Sequence, residues 1–365
     1  ERESRMQALE SVKHWLGLGN ILLILALFIP AAIVLEFTHG NPVVIFVVTA
    51  VGVIPLAGMI GQSTESLAEK VGQRMGGLLN ATLGNAAELI ISLVALRAGL
   101  ISLVLASITG SILGNLLLVL GLSLLAGGIK NGKQMFNRSN AGIDATLLIL
   151  SVIALGIPSL FNWALEPNFA AVEGLSIGAS IAMLVMYGLV VLYSFTSQPN
   201  HDDPVMREAH APSGWSTTHA LIILTVAVGL IVLLSEILVG AVQHVTETLG
   251  LSEFFIGIIL IPLIGNAAEH LVAVQVAMKN KMDLSLSIAI GSSLQIALFV
   301  APLLVFLSLL MGNPMQLEFN QFELAAVAAA SFIAAFVSLD GESIWLEGAM
   351  LLMVYVILGL AFFFL

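Results

Sequence analysis

The sequence predicts an all-α polytopic membrane protein of eleven transmembrane helices, with spans 2–6 and 7–11 as an inverted-topology repeat. Three observations predict this. The 365 residues are 59% hydrophobic and 10% charged, with a mean hydropathy of +1.05, against roughly 25% charged in a typical soluble domain. Apolar stretches of about 20 residues, the length that crosses a bilayer as a helix, follow one another along the chain. The motif Gly84-Asn85-Ala86-Ala87-Glu88 recurs as Gly265-Asn266-Ala267-Ala268-Glu269. Period-two alternation is absent, which excludes a β-barrel.

The spans are read in order. Span 1, about residues 18–35, follows a polar stretch and lacks a small-residue cleavage site, so it reads as a span and not a signal peptide. The turn His39-Gly40-Asn41-Pro42 separates it from span 2, about 43–62. Span 3, about 78–97, carries Glu88, and span 8, about 252–278, carries Glu269. Spans 4 and 9, about 100–128 and 284–311, are long and free of charge. They call for strong tilt, or for a glycine break at Gly110 and Gly291. The remaining spans are about 144–162, 174–196, 219–243, 322–339 and 347–365.

With the N-terminus cytoplasmic and the C-terminus opposite, the inner side holds Arg2, Arg5, Lys13, Lys70, Arg74, Lys130, Lys133, Arg138, Arg207, Lys279 and Lys281. The outer side holds Arg97 alone. This bias follows the positive-inside rule. The chain divides into 1–42 (N-terminal segment and extra first span), 43–197 (first five-helix repeat), 198–218 (cytoplasmic linker) and 219–365 (second five-helix repeat).

The repeat extends beyond one motif. Gly110-Ser111 recurs as Gly291-Ser292, also 181 residues later, and Thr64-Glu65-Ser66-Leu67 as Thr246-Glu247-Thr248-Leu249, shifted by 182. Glu173-Gly174 echoes Glu347-Gly348. Five spans is an odd number, so equivalent helices cross in opposite directions, the arrangement many secondary transporters use for alternating access.

Glu88 and Glu269 lie at equivalent depth inside apolar segments, where an ionisable group is costly and marks function. Asn85 and Glu88 are three residues apart and so share a helix face, as do Asn266 and Glu269. Gly84 and Gly265 precede each pair and permit irregular backbone, which frees carbonyl oxygens for an ion. Ser107, Ser111 and Asn115 line one face of span 4, and Ser292 and Gln295 one face of span 9. Carboxylates, amides, hydroxyls and carbonyls make an all-oxygen site suited to a hard cation such as Ca²⁺. Burial and a second carboxylate favour protons on such groups, while a bound divalent ion favours the ionised forms. The site therefore holds either Ca²⁺ or protons. His270 is the one nitrogen nearby; a ligand, a proton acceptor and a structural histidine are all open readings.

Weaker candidates are Glu236 in span 7, as a proton-path residue or a member of a polar pair, and Glu65 and Glu247 near helix ends. The acidic loop His201-Asp202-Asp203…Glu208 reads as a solvated linker or a weak Ca²⁺ site. Zero cysteines exclude a zinc–thiolate centre, a disulfide scaffold and a cysteine nucleophile. The net charge of −11 argues against a nucleic-acid partner. No His-Glu-x-x-His occurs, so the chain does not read as an intramembrane enzyme of that kind.

The motifs Gly84-Asn85-Ala86-Ala87-Glu88-Leu89-Ile90, Gly265-Asn266-Ala267-Ala268-Glu269-His270 and Gly291-Ser292-Ser293-Leu294-Gln295-Ile296-Ala297 resemble those of the calcium/proton exchangers, the CAX branch of the cation/Ca²⁺ exchanger superfamily. The resemblance covers essentially the whole chain. It implies that Glu88 and Glu269 bind the cation with backbone carbonyls near Gly84 and Gly265. It also implies that Asn85, Asn266, Ser111, Ser292 and Gln295 belong to the site, with His270 beside it in proton coupling. Gly114 stands where the second half has Gln295, so the two halves differ there. The expected function is a secondary antiporter exporting Ca²⁺ from the cytoplasm against protons, with other divalent cations open as substrates. No cofactor is expected, the lipid bilayer is the partner, and a homo-oligomer is left open. A sodium-coupled calcium exchanger and a cation channel are the alternatives. The expected location is a prokaryotic inner membrane, with a vacuolar or other organellar membrane as the alternative.

Overall fold

The computed structural model describes residues 18–71, 79, 82–164, 169–196 and 215–365. The acidic loop 201–208, the linker up to residue 214, and Arg2, Arg5, Lys13, Arg74 and Arg207 lie outside the described residues. Thirteen helices are labelled among the described residues. They are α1 Leu18–Leu25, α2 Phe28–Phe37, α3 Pro42–Val71, α4 Ala86–Arg97, α5 Ile101–Asn131, α6 Arg138–Ala164, α7 Phe169–Thr196, α8 Thr217–Leu249, α9 Glu253–Gly265, α10 Ala267–Met278, α11 Met282–Met311, α12 Gln321–Val337 and α13 Trp345–Phe363.

Seven of these, α3, α5, α6, α7, α8, α11 and α13, are long and apolar enough to cross a membrane. The bent pair α9 and α10 makes eight if counted as one span. The helical stretch Ile21–Phe37 and α12 are apolar but shorter. Length and composition thus support seven or eight spans directly, against the eleven expected. The shortfall has local causes. Pro30 cannot donate to the carbonyl of Ala26, and the first segment breaks into α1 and α2 there. Span 3 lies partly outside the described residues, within which α4 begins after Gly84-Asn85.

The expected glycine break at Gly110 and Gly291 does not occur: α5 and α11 run through both positions as α-helix. Irregularity appears a few residues later, as π-helical turns at Gly114–Val119 and Ile296–Val300. Gly110 serves close packing instead. A Cβ there would lie 2.0 Å from the carbonyl oxygen of Ile258 in α9. Gly257 does the same from the other side, where a Cβ would fall 2.8 Å from Leu103 O. The backbones of α5 and α9 therefore touch, the small-residue mode of membrane helix packing.

Two polar belts join the helix ends. In one, strand β1 (Gln134–Met135) pairs antiparallel with β2 (Glu342–Ser343), and Lys133 pairs with Glu342. Gln134 Nε2 donates to Ala277 O and Asn280 Oδ1, and Asn137 N donates to Asp283 Oδ1. In the other, Asn313 donates to Leu96 O, Ser159 Oγ to Leu317 O, and Gln316 to Phe169 O, while Asn162 pairs with Glu318. α6 starts in the first belt and ends in the second. Between the belts one apolar core, including Val53, Ile91, Ile112, Leu234, Ile261 and Ala297, links the helices of both motif regions.

Candidate cation site

Both repeated motifs fold as helix breaks. Asn85 (φ −96°, ψ 29°) and Asn266 (φ −92°, ψ 1°) sit in the same bridge conformation, just before α4 and α10. α9 and α10 meet at an angle of 59° across Asn266. Each asparagine is the N-cap of the helix that follows, its carbonyl accepting from Leu89 N or His270 N, and each glutamate lies in that helix's first turn. The segments do not continue as one helix through Gly84-Asn85 or Gly265-Asn266.

The turn lets the asparagines reach across. Ser292 Oγ of α11 donates to Asn85 Oδ1 over 3.0 Å, and Asn85 Nδ2 donates to Gln295 Oε1 over 2.6 Å. Reciprocally, Asn266 Nδ2 donates to Ser111 Oγ of α5 over 3.3 Å. Asn115 Nδ2 donates to Ser292 Oγ over 3.0 Å. The half-to-half asymmetry follows from Gly114, which offers no amide where Gln295 does. Asn266 turns its second donor proton back to Pro262 O over 3.2 Å instead. All four of Asn85, Asn266, Ser111 and Ser292 are buried. Ser107 is buried beside them on α5.

Glu88 is buried, and its carboxylate rests on Gly265, where a Cβ would come within 3.1 Å of Oε1. Side-chain volume at position 265 would push Glu88 away. Glu88 and Glu269 lie close enough to feel each other's charge. The single hydroxyl proton of Ser292 goes to Asn85. Among the described residues neither carboxylate has an ion-pair partner. Glu269 Oε2, Asn266 Oδ1 and His270 Nε2 are buried without a hydrogen bond. Such groups cost about 1–3 kcal/mol each when left unpaired. Two of the three are oxygens with no donor facing them, the pattern a cation would complete.

No three of His, Asp and Glu converge on a metal-sized point among the described residues. The set instead combines two carboxylates with neutral oxygens, which fits a weakly held, exchangeable hard cation better than a closed carboxylate cage. His270 is buried on α10, but the structure gives its Nε2 no partner.

The peripheral acids fall elsewhere. Glu236 pairs with Arg97 over 3.5 Å, both well exposed, in a cavity of about 400 Å³ with Gln243 and Glu253. Gln243 Nε2 donates to Glu247 Oε1 over 3.1 Å. Sequence reasoning missed the bridging role of Asn115, although its spacing with Ser111 placed it on the right face. It also missed Glu323, buried at the start of α12, where it forms a capping box with Asn320 and accepts from Thr109 Oγ1 over 3.1 Å. Only the Asn-x-x-Glu cap signal pointed to that residue.

The family described as sodium/calcium exchanger protein matches the chain twice, over residues 41–196 and 219–364. A Ca²⁺/H⁺ antiporter of Aphanothece halophytica is 44% identical over 93% of this chain and 95% of its own. The Ca²⁺/H⁺ antiporter ChaA of Bacillus subtilis is 44% identical over 94% of this chain and 98% of its own. The solved structure of native YfkE superposes with a TM-score of 0.83 at 43% identity, over 94% of this chain and 100% of that one. The H⁺/Ca²⁺ exchanger CAX shares the fold at 16% identity, with a TM-score of 0.75 over 94% of this chain and 91% of that one.

Proposed function

The chain belongs to the sodium/calcium exchanger protein family, in its Ca²⁺/H⁺ antiporter branch, and from that premise we propose how it exports Ca²⁺ from the cytoplasm against entering protons. One observation carries the reading. Glu88, buried, and Glu269, half-buried with its Oε2 shielded, have no cation partner among the described residues and are framed by reciprocal bonds, Asn85 with Ser292 and Asn266 with Ser111. Empty and doubly ionised, this centre is costly in a medium of low dielectric. Either a divalent cation or protons relieve the cost. Exchange follows when the unrelieved site reorients slowly.

Gly84, Gly265 and Gln295 complete the proposed cation shell. His270 is a proposed proton-coupling residue, on the strength of its orphaned Nε2 beside Glu269. The eleven-span, inverted-repeat reading is supported on two grounds. The family matches the chain in two consecutive copies. Numbering the loops by the eleven expected spans, the following bonds among the described residues join even with even or odd with odd, with Glu236 of span 7 counted toward the loop that follows it. Lys70 with Trp215, Lys133 with Glu342 and Gln134 with Asn280 fall on one side. Asn313 with Leu96, Asn162 with Glu318 and Arg97 with Glu236 fall on the other. One span too many or too few among spans 3–10 would mix the two groups; spans 1, 2 and 11 are not tested by these bonds.

The same parity places Lys130, Lys133, Arg138, Lys279 and Lys281 on one face, proposed as cytoplasmic. The proposed division is an added first span, repeats over 43–197 and 219–365, and a linker over 198–218. Relatives include bacterial and vacuolar proteins. A prokaryotic plasma membrane is the proposed location. Ca²⁺ uptake into vesicles under an imposed pH gradient, with sodium and potassium absent, tests the function. Uptake that follows a sodium gradient and ignores pH would favour the sodium-coupled reading.

A further inference from the structure

Each carboxylate-bearing helix is fastened to the opposite half of the chain at both ends. At the start, Asn85 and Asn266 reach Ser292 and Ser111. At the far end, Asn313 Nδ2 donates to Leu96 O of α4 over 3.2 Å, and Asn131 Nδ2 donates to Ala277 O of α10 over 3.2 Å. Ala277 follows Leu96 by 181 positions, and Asn313 follows Asn131 by 182.

Two closing bonds recur at both helix ends. Gly99 N donates to Leu96 O and Asn280 N to Ala277 O, each over 3.0 Å. Leu100 N donates to Ala95 O and Lys281 N to Val276 O, again over 3.0 Å each. Gly99 (φ 80°) and Asn280 (φ 60°) both take the left-handed conformation that closes such a terminus. The terminal carbonyls are therefore already satisfied within their own segments. The asparagine amides are not needed as caps; what they add is a tie to the other half.

We propose that Asn131 and Asn313 are a matched pair of positioning residues that set the height and rotation of the helices bearing Glu269 and Glu88. The proposal rests on the antiporter reading above. From Leu96 to Glu88 is eight residues, about 12 Å along a helix too short to bend, so slack at the tie reaches the carboxylate. The pair is unequal in one respect. Ala277 O also receives Gln134 Nε2 over 2.9 Å, from a side chain that is 1% exposed. α10 thus keeps a tie when Asn131 is lost. Among the described residues Leu96 O has only Asn313 from the opposite half.

The test is proton-driven ⁴⁵Ca²⁺ uptake by the full chain in proteoliposomes, reading half-saturating Ca²⁺, maximal rate and amount of folded protein. Asn313→Ala should raise half-saturating Ca²⁺ about three- to tenfold, the equivalent of one neutral hydrogen bond, with maximal rate changed less. Asn131→Ala alone should stay within about twofold of wild type, and Asn131→Ala with Gln134→Ala should match Asn313→Ala. Asn313→Ser, which keeps a donor, should recover part of the loss. If Asn313→Ala folds poorly, Asn313→Asp keeps the shape without the amide donor and gives the same readout. Unchanged half-saturation in Asn313→Ala, or a loss confined to maximal rate, overturns the proposal while leaving the antiporter reading intact. Absence of proton-driven uptake by the wild type would instead sink the antiporter reading.

Discussion

Ser292 donates its hydroxyl to Asn85 across 3.0 Å, a bond between residues 207 positions apart. The same hydroxyl accepts from Asn115 of α5 over 3.0 Å, so Ser292 of α11 ties the first helix break to α5 as well.

Ser292→Ala is therefore expected to cost more than Ser111→Ala, its repeat counterpart, which accepts a single 3.3 Å bond from Asn266. Removing Ser292 leaves Asn85 and Asn115 each short of a partner, at about 1–3 kcal/mol for a buried group left unpaired. Half-saturating Ca²⁺ of the two variants checks this. Equal losses would remove Ser292 from its central place.

Asn85→Ala and Asn266→Ala should each weaken transport by about ten- to a hundredfold in affinity, the range of one hydrogen bond involving a charged system. Both should lose less than a variant of the neighbouring glutamate, because an amide supplies a dipole and not a charge. Asn85→Ala should be the worse of the two, since it also orphans Gln295. Isotope flux at several Ca²⁺ concentrations separates them, and wild-type behaviour in both would take the asparagines out of the site.

Gly110→Ala should destabilise the folded protein by at least about 1–3 kcal/mol, the usual cost of overpacking. The new Cβ would sit 2.0 Å from Ile258 O, and backbone must move. Gly291→Ala, with nothing within 4 Å of its Cβ, should not. Thermal unfolding in detergent compares the two. A stable Gly110→Ala protein would contradict the close contact of α5 with α9.

The composition of the site is legible in the sequence because a polar or ionisable side chain inside an apolar span is too costly to stand there without a use. Glu88, Glu269, Asn85, Asn266, Ser111 and Ser292 recur between the halves, whereas Gln295 is read from its spacing with Ser292, since Gly114 takes its place in the first half. The helix break at Gly84-Asn85 is not legible, because spacing arguments assume an unbroken helix. Gly110 fails as a bend marker for a related reason. A glycine in an apolar run signals either a bend or a close neighbour, and Ile258 is invisible from local sequence. Asn131 ends α5 and Asn313 lies in a loop, both places where asparagine is ordinary; only their shared offset distinguishes them.

The central claim is that Glu88 and Glu269 together hold either Ca²⁺ or protons. Glutamine preserves the shape of each side chain while removing its charge and its exchangeable proton. The most direct measurement is pH-gradient-driven Ca²⁺ exchange by Glu88→Gln and Glu269→Gln in proteoliposomes, with insertion and thermal stability measured on the same samples. Each single variant should fold, insert and lose exchange to a similar extent, with stability unchanged or raised by removal of a buried charge. Near wild-type exchange by either variant would remove that glutamate from the site, and by both would contradict the two-carboxylate mechanism.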